Sequence, residues 1–114
     1  MQLDEFILGS KERIVKAFLD LIILHLLSKN AMSGYEVNKA LVKKFGLMIG
    51  PSTIYSKLTT LEEQGLLLCT KNRSGKVFYL TNDGKQIEAN METVLDNIFE
   101  YMRNSLSKQK MKMD

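Results

Sequence analysis

The chain's one proline, Pro51, opens a run that closes at Gly65, and this segment constrains the fold more than any other. Proline suits the first position of a helix, where its missing N–H has no intrahelical partner to lose. A helix is therefore expected to start at Pro51. Ile54, Leu58 and Leu61 recur at i, i+4 and i+7 and form its apolar stripe. Ser52, Thr53, Tyr55, Ser56, Lys57 and Thr60 are left for the other face, and Gly65 ends the helix. Leu66 to Thr70 then reads as a strand and Val77 to Leu80 as its partner. Lys71-Asn72-Arg73-Ser74-Gly75-Lys76 forms the tip between them, with Gly75 able to take a positive φ.

Upstream, Ser33-Gly34-Tyr35-Glu36 has the form of a capping box, in which the Ser33 hydroxyl accepts from the Glu36 N–H and the Glu36 carboxylate from the Ser33 N–H. The helix it starts should run to Phe45 and close at Gly46. Val37, Ala40, Leu41 and Phe45 make its buried face, and Asn38, Lys39, Lys43 and Lys44 point outward. The short link from Gly46 to Gly50 fits a helix-turn-helix. Before it, one helix is expected from Lys11 to Ser28. Its apolar residues, from Ile14 and Val15 through Phe18 and Ile22 to Leu27, cover nearly its whole circumference. So small a domain has too few partners for such a helix, which favours a dimer. Phe6-Ile7-Leu8 is too apolar for a free tail and should dock.

After the hairpin, Thr81-Asn82-Asp83-Gly84 caps a last helix expected to reach about Ser105. Ile87, Met91, Val94, Ile98 and Tyr101 follow the spacing of a coiled-coil seam. Leu95, Phe99, Met102 and Leu106 form a second row, so one row can face the chain's own body and the other needs a partner. Ser107 to Asp114 should be a frayed tail. The expected fold is mainly α with a small two-stranded β-wing (α+β). It divides into a winged helix-turn-helix over residues 1–80, a dimerisation helix over 81–106 and a basic tail over 107–114.

Charge is concentrated where the hairpin lies. Residues 29–85 hold nine Lys/Arg against four Asp/Glu, while the flanking segments are each slightly acidic. A basic surface there fits a partner that presents phosphates. The single cysteine, Cys69, excludes an intrachain disulfide, suits a reducing cytoplasm and reads as a small buried hydrophobe. The lone His25 lies in the greasy first helix as a core or interface residue. One His and one Cys far apart make no metal set, and neither a phosphate loop nor a nucleophile elbow is present. Phe18 to Leu27 is too short to span a bilayer. No enzymatic activity, cofactor, metal or membrane role is expected.

What remains is a DNA-reading constellation. Ser52, Thr53 and Ser56 can approach base edges or phosphate closely, and Tyr55 and Lys57 reach further. Lys71, Arg73 and Lys76 supply backbone contacts, and Tyr35 can donate to a phosphate at a helix N-terminus. The Gly34-Tyr35-Glu36 helix, Pro51-Ser52-Thr53-Ile54-Tyr55, Leu61-Glu62-Glu63-Gln64-Gly65-Leu66-Leu67, the basic wing and Tyr79-Leu80-Thr81-Asn82-Asp83-Gly84 follow in that order. In this the chain closely resembles the PadR family of transcriptional regulators, over about residues 14–100, and its short subgroup in particular.

The resemblance implies a homodimeric repressor on a palindromic operator, its last helix crossing to the other subunit. A small hydrophobic effector wedged between subunits could then release the DNA. Phe18, Ile22, Ile87, Met91, Val94, Leu95, Ile98, Phe99, Tyr101 and Met102 are the interface candidates, with Phe18, Ile22, Leu95, Phe99 and Met102 lining any pore. The chain departs from the family pattern in lacking tryptophan, which some short members use to stack flat aromatic ligands. Its wing also carries fewer basic residues than many. The alternative reading is a winged helix that binds protein instead of DNA, which fold by itself does not exclude.

Overall fold

The structure, a computed structural model, describes residues 2–113, with side chains described through Ser107. Five helices and one hairpin follow in the order α1 (Leu3–Ala17), α2 (Leu19–Lys29), α3 (Gly34–Phe45), α4 (Pro51–Glu63), β1 (Leu67–Asn72), β2 (Gly75–Leu80) and α5 (Asn82–Met113). This is the expected winged helix-turn-helix followed by a long C-terminal helix.

The first expected helix is in fact two. Helix starts at Leu3, runs through Gly9-Ser10 and is interrupted at Phe18, whose φ of −104° and ψ of 17° lie outside the helical range. Phe18 N–H still donates to the Ile14 carbonyl and Ile22 N–H to the Phe18 carbonyl, so Phe18 remains bonded to the helix on each side of the break. Asp20 provides a local cause. Its carboxylate accepts the Leu21 N–H at 2.9 Å inside the first turn of α2, where it also meets the positive end of the helix dipole. The kink lets α2 bury Leu19, Ile23, Leu24, Leu26 and Leu27, whereas α1 buries only Val15. Phe6, Ile7 and Leu8, expected to dock, remain more than half exposed.

The helix-turn-helix forms as local chemistry dictates. Both halves of the Ser33–Glu36 capping box are made, each at 3.1 Å, and Gly46 closes α3 in the left-handed region. Val37 and Leu41 from α3 meet Ile54 and Leu58 from α4 over Leu19 and Ile23, all with no exposed surface. Gly65, at φ 79°, reverses the chain after α4 in a conformation that a Cβ would strain.

β1 and β2 pair antiparallel in the register Leu67↔Leu80 to Asn72↔Gly75. The strands are longer than expected, so the tip shrinks to Arg73-Ser74, and the Asn72 side chain accepts the Ser74 N–H at 2.9 Å. Met32, in the link between α2 and α3, exchanges two main-chain hydrogen bonds with Phe78. This extra bridge fastens the wing to the body and holds Phe78 in the core. The last helix is longer than expected, its bounds being Asn82–Met113; Asp114 lies outside the described residues.

Candidate nucleic-acid interface

On α4, Ile54, Leu58 and Leu61 are buried, and Ser52, Thr53, Tyr55 and Ser56 stand exposed on the other side, with Lys57 half-buried. Thr60 turns its hydroxyl back to the Ser56 carbonyl at 2.9 Å. The entry to α4 is pinned from α3. Asn38 Nδ2 donates to the Ile49 carbonyl at 2.7 Å, and Asn38 Oδ1 accepts the Ile49 N–H at 3.3 Å. Asn38 was expected to point outward; instead it is half-buried and holds the residue two places before Pro51.

Tyr55 lies over the start of α3. A Cβ placed on Gly34 would come within 2.6 Å of Tyr55 Cζ and 3.0 Å of its hydroxyl oxygen, so the absent side chain makes room for the ring. The fit brings the Tyr55 hydroxyl to the first turn of α3, from which Tyr35 projects with 73% of its surface exposed. Tyr55, from α4, and Tyr35, from α3 itself, thus both border the first turn of α3, where a helix N-terminus favours an anion.

On the wing, Lys71 and Lys76 are direct cross-strand partners, with Arg73 in the turn beyond them, and all three are exposed. Like charges placed opposite one another destabilise a hairpin. Among the described residues the ion pairs are Glu12–Lys16 and His25–Glu88, so these wing cations have no acidic neighbour within bonding distance.

A second feature is an apolar groove of about 590 Å³ between the α1–α2 kink, the end of α3 and α5. Phe18 and Phe99 meet edge to face across it, centroids 6.3 Å apart at 70°. Ile22, Met91 and Leu95 also line it. Met91 thus leaves the row in which its spacing placed it. Ile87, Val94, Ile98 and Tyr101 face away and stay exposed, as does Met102. His25 is not a core residue: its side chain is half exposed, and Nδ1 pairs with Glu88 Oε1 at 2.9 Å at the groove's end. Among the described residues no three His, Cys, Asp or Glu side chains gather as metal ligands, and no helix is long and apolar enough to cross a membrane.

The family model for PadR-like transcriptional regulators matches residues 23–90, from the middle of α2 through the helix-turn-helix and wing into α5. The chain belongs to the PadR-like family of transcriptional regulators. A PadR family regulator from Clostridium difficile is 25% identical, with 78% of this chain and 98% of that one covered and a TM-score of 0.69. Bacillus subtilis PadR, solved in complex with operator DNA, is 29% identical over 64% of this chain and 46% of its own, with a TM-score of 0.59. A PadR-like regulator from Bacillus cereus shares the fold, with a TM-score of 0.74 at 21% identity over 82% of this chain and 96% of its own. No curated protein matches the chain.

Two features of this PadR-like regulator escaped the sequence reading. The Asn38–Ile49 clamp had one available signal, an asparagine in mid-helix, where its propensity is poor. The Met32–Phe78 bridge had none, because a single residue pairing with a distant strand leaves no periodic trace.

Proposed function

We propose that this PadR-like regulator is a cytoplasmic homodimer that binds double-stranded operator DNA and represses transcription. Residues 1–80 form the reading unit, and the helix that follows forms the dimer. The observation that carries the proposal is the wing: Lys71 facing Lys76, with Arg73 beyond and no acid within bonding distance among the described residues, is a cluster of like charges that a phosphate laid against it would relieve. Ser52, Thr53, Tyr55, Ser56 and Lys57 form a polar, reachable front for α4 in the major groove. Tyr35 supplies a phosphate contact at the start of α3. The B. subtilis relative was solved in complex with operator DNA, which supports DNA as the partner.

For the dimer, the outward row Ile87, Val94, Ile98 and Tyr101 supplies an apolar seam that the chain itself leaves uncovered. The partner's last helix lies against the open groove, with Phe18, Ile22, Met91, Leu95, Phe99 and Met102 completing the interface. The two reading helices then stand about one DNA turn, ~34 Å, apart. A small hydrophobic effector seated beside Phe18 and Phe99 would alter that spacing and release the operator.

Fluorescence-anisotropy titration against the protein's own promoter fragment and a scrambled duplex, at two salt concentrations, tests the reading. Two subunits should bind each promoter site with about 10³-fold preference. Absence of binding even at low salt would refute it and favour a winged helix that binds protein.

A further inference from the structure

Where α4 ends and α5 begins, three segments are joined through one side chain. Thr81 Oγ1 donates to the Gly65 carbonyl at 2.7 Å and accepts the Gly84 N–H at 3.1 Å. The Thr81 N–H donates to the Leu66 carbonyl, also at 3.1 Å. Gly84, on the first turn of α5, lies so close beneath Leu66 that an added Cβ would collide with the Leu66 carbonyl oxygen. One hydroxyl thus caps α5 and at the same time holds the reversal that follows α4. Two further ties between α5 and the body, His25–Glu88 and Phe18–Phe99, join side chain to side chain beside an open groove.

From this joint we infer that Thr81 and Gly84 are positioning residues that set the spacing between operator half-sites. The inference rests on the dimeric DNA-binding reading above. At about 1.5 Å per helical residue, Ile98 in the outward seam lies about 24 Å along α5 from Asn82. Pivoting α5 by about 10° at the joint moves the seam by about 4 Å relative to α4, close to the ~3.4 Å separating successive base pairs. A joint that yields by so small an angle fits two neighbouring spacings; one that does not fits one. Hydrogen bonds from Thr81 to two main-chain carbonyls, with Gly84 packed flush against one of them, make the stiff kind. Thr81 touches no DNA in this account and acts through the angle between α4 and α5.

The test begins with inverted-repeat duplexes enriched by the wild-type protein from a randomised pool, then remade with their half-sites one base pair nearer or farther. Wild type should lose about tenfold or more in affinity on either change, because one step rotates a half-site by about 34°. Thr81→Val, which keeps the shape and removes the hydroxyl, should lose less than about threefold, with binding to random duplex unchanged. Thr81→Ala should broaden the profile in the same way, and Thr81→Ser, which retains the hydroxyl, should restore it. These ratios are read within one preparation, so a reduced folded fraction does not alter them. If Thr81→Val and Thr81→Ala keep the wild-type spacing profile, the joint does not set spacing and the proposal falls alone. If wild type enriches no inverted repeat, the DNA-binding reading falls and takes the proposal with it.

Discussion

Asn38→Ala removes the clamp at the entry to α4 without touching the face proposed to read DNA. The 2.7 Å bond to the Ile49 carbonyl and the weaker 3.3 Å bond from its N–H are both lost. Ile49 is 1% exposed, so water reaches its main chain poorly once the amide is gone. At about 1 kcal/mol for the short bond, about 0.5 for the long one and a further contribution from the unpaired carbonyl, the destabilisation comes to about 2 kcal/mol. With an m-value of about 2 kcal/mol/M, the urea midpoint should fall by about 1 M. Measurements belong at one subunit concentration, since dimerisation adds to apparent stability. Asn38→Asp should cost more, about 3 kcal/mol, because a carboxylate oxygen would then face the Ile49 carbonyl. Hydrogen exchange at the Ile49 amide should accelerate in both variants. An Asn38→Ala midpoint within about 0.2 M of wild type, with Ile49 exchange unchanged, would refute the clamp.

Other outcomes test the proposed interfaces. Ile98→Glu should leave each subunit folded, because Ile98 is 47% exposed in the single chain, yet should raise the dimer dissociation constant by about 10³-fold through two desolvated carboxylates; a variant still dimeric at low micromolar concentration in sedimentation would place the seam elsewhere. Replacing Arg73 and Lys76 together with Ala should weaken promoter and scrambled duplex alike and lower the salt slope by about two units per subunit. A loss confined to the promoter would instead assign these residues to base reading. Gly34→Ala forces the Tyr55 ring aside, and because that ring is partly exposed it can yield. The expectation is a thermal midpoint within about 5 °C of wild type and an operator affinity reduced about tenfold; unchanged affinity would show that the position of Tyr55 does not matter to binding.

How much of this protein could be read before folding depends on the range of the forces involved. The Ser33–Glu36 capping box, the start at Pro51 and the reversal at Gly65 follow from neighbours within one helical turn, and all are present in the structure as expected. The stripe Ile54, Leu58 and Leu61 follows from helical periodicity, and each of these residues is buried. The outline of the candidate site was legible for the same reason, since Ser52, Thr53, Tyr55 and Ser56 are what that stripe leaves outside. Where an element's fate depends on residues distant in the chain, the sequence alone did not decide it. Apolar residues all round the first helix announced too many contacts; Asp20 favours a break beside Phe18 locally, but which residues α2 buries after it depends on the arrangement of α3, α4 and the wing. Asn38 looks like a solvent residue until the link before α4 lies beside it with a main chain to be paired. On α5 both apolar rows have seam spacing, and packing against α2 selects Met91, Leu95 and Phe99 for the groove while leaving Ile87, Val94, Ile98 and Tyr101 outside. Local hydrogen bonding and periodicity thus settle which helices and strands exist, because their partners are near in sequence. Tertiary packing settles which way their ambiguous faces turn, because those partners come together only once the chain has folded.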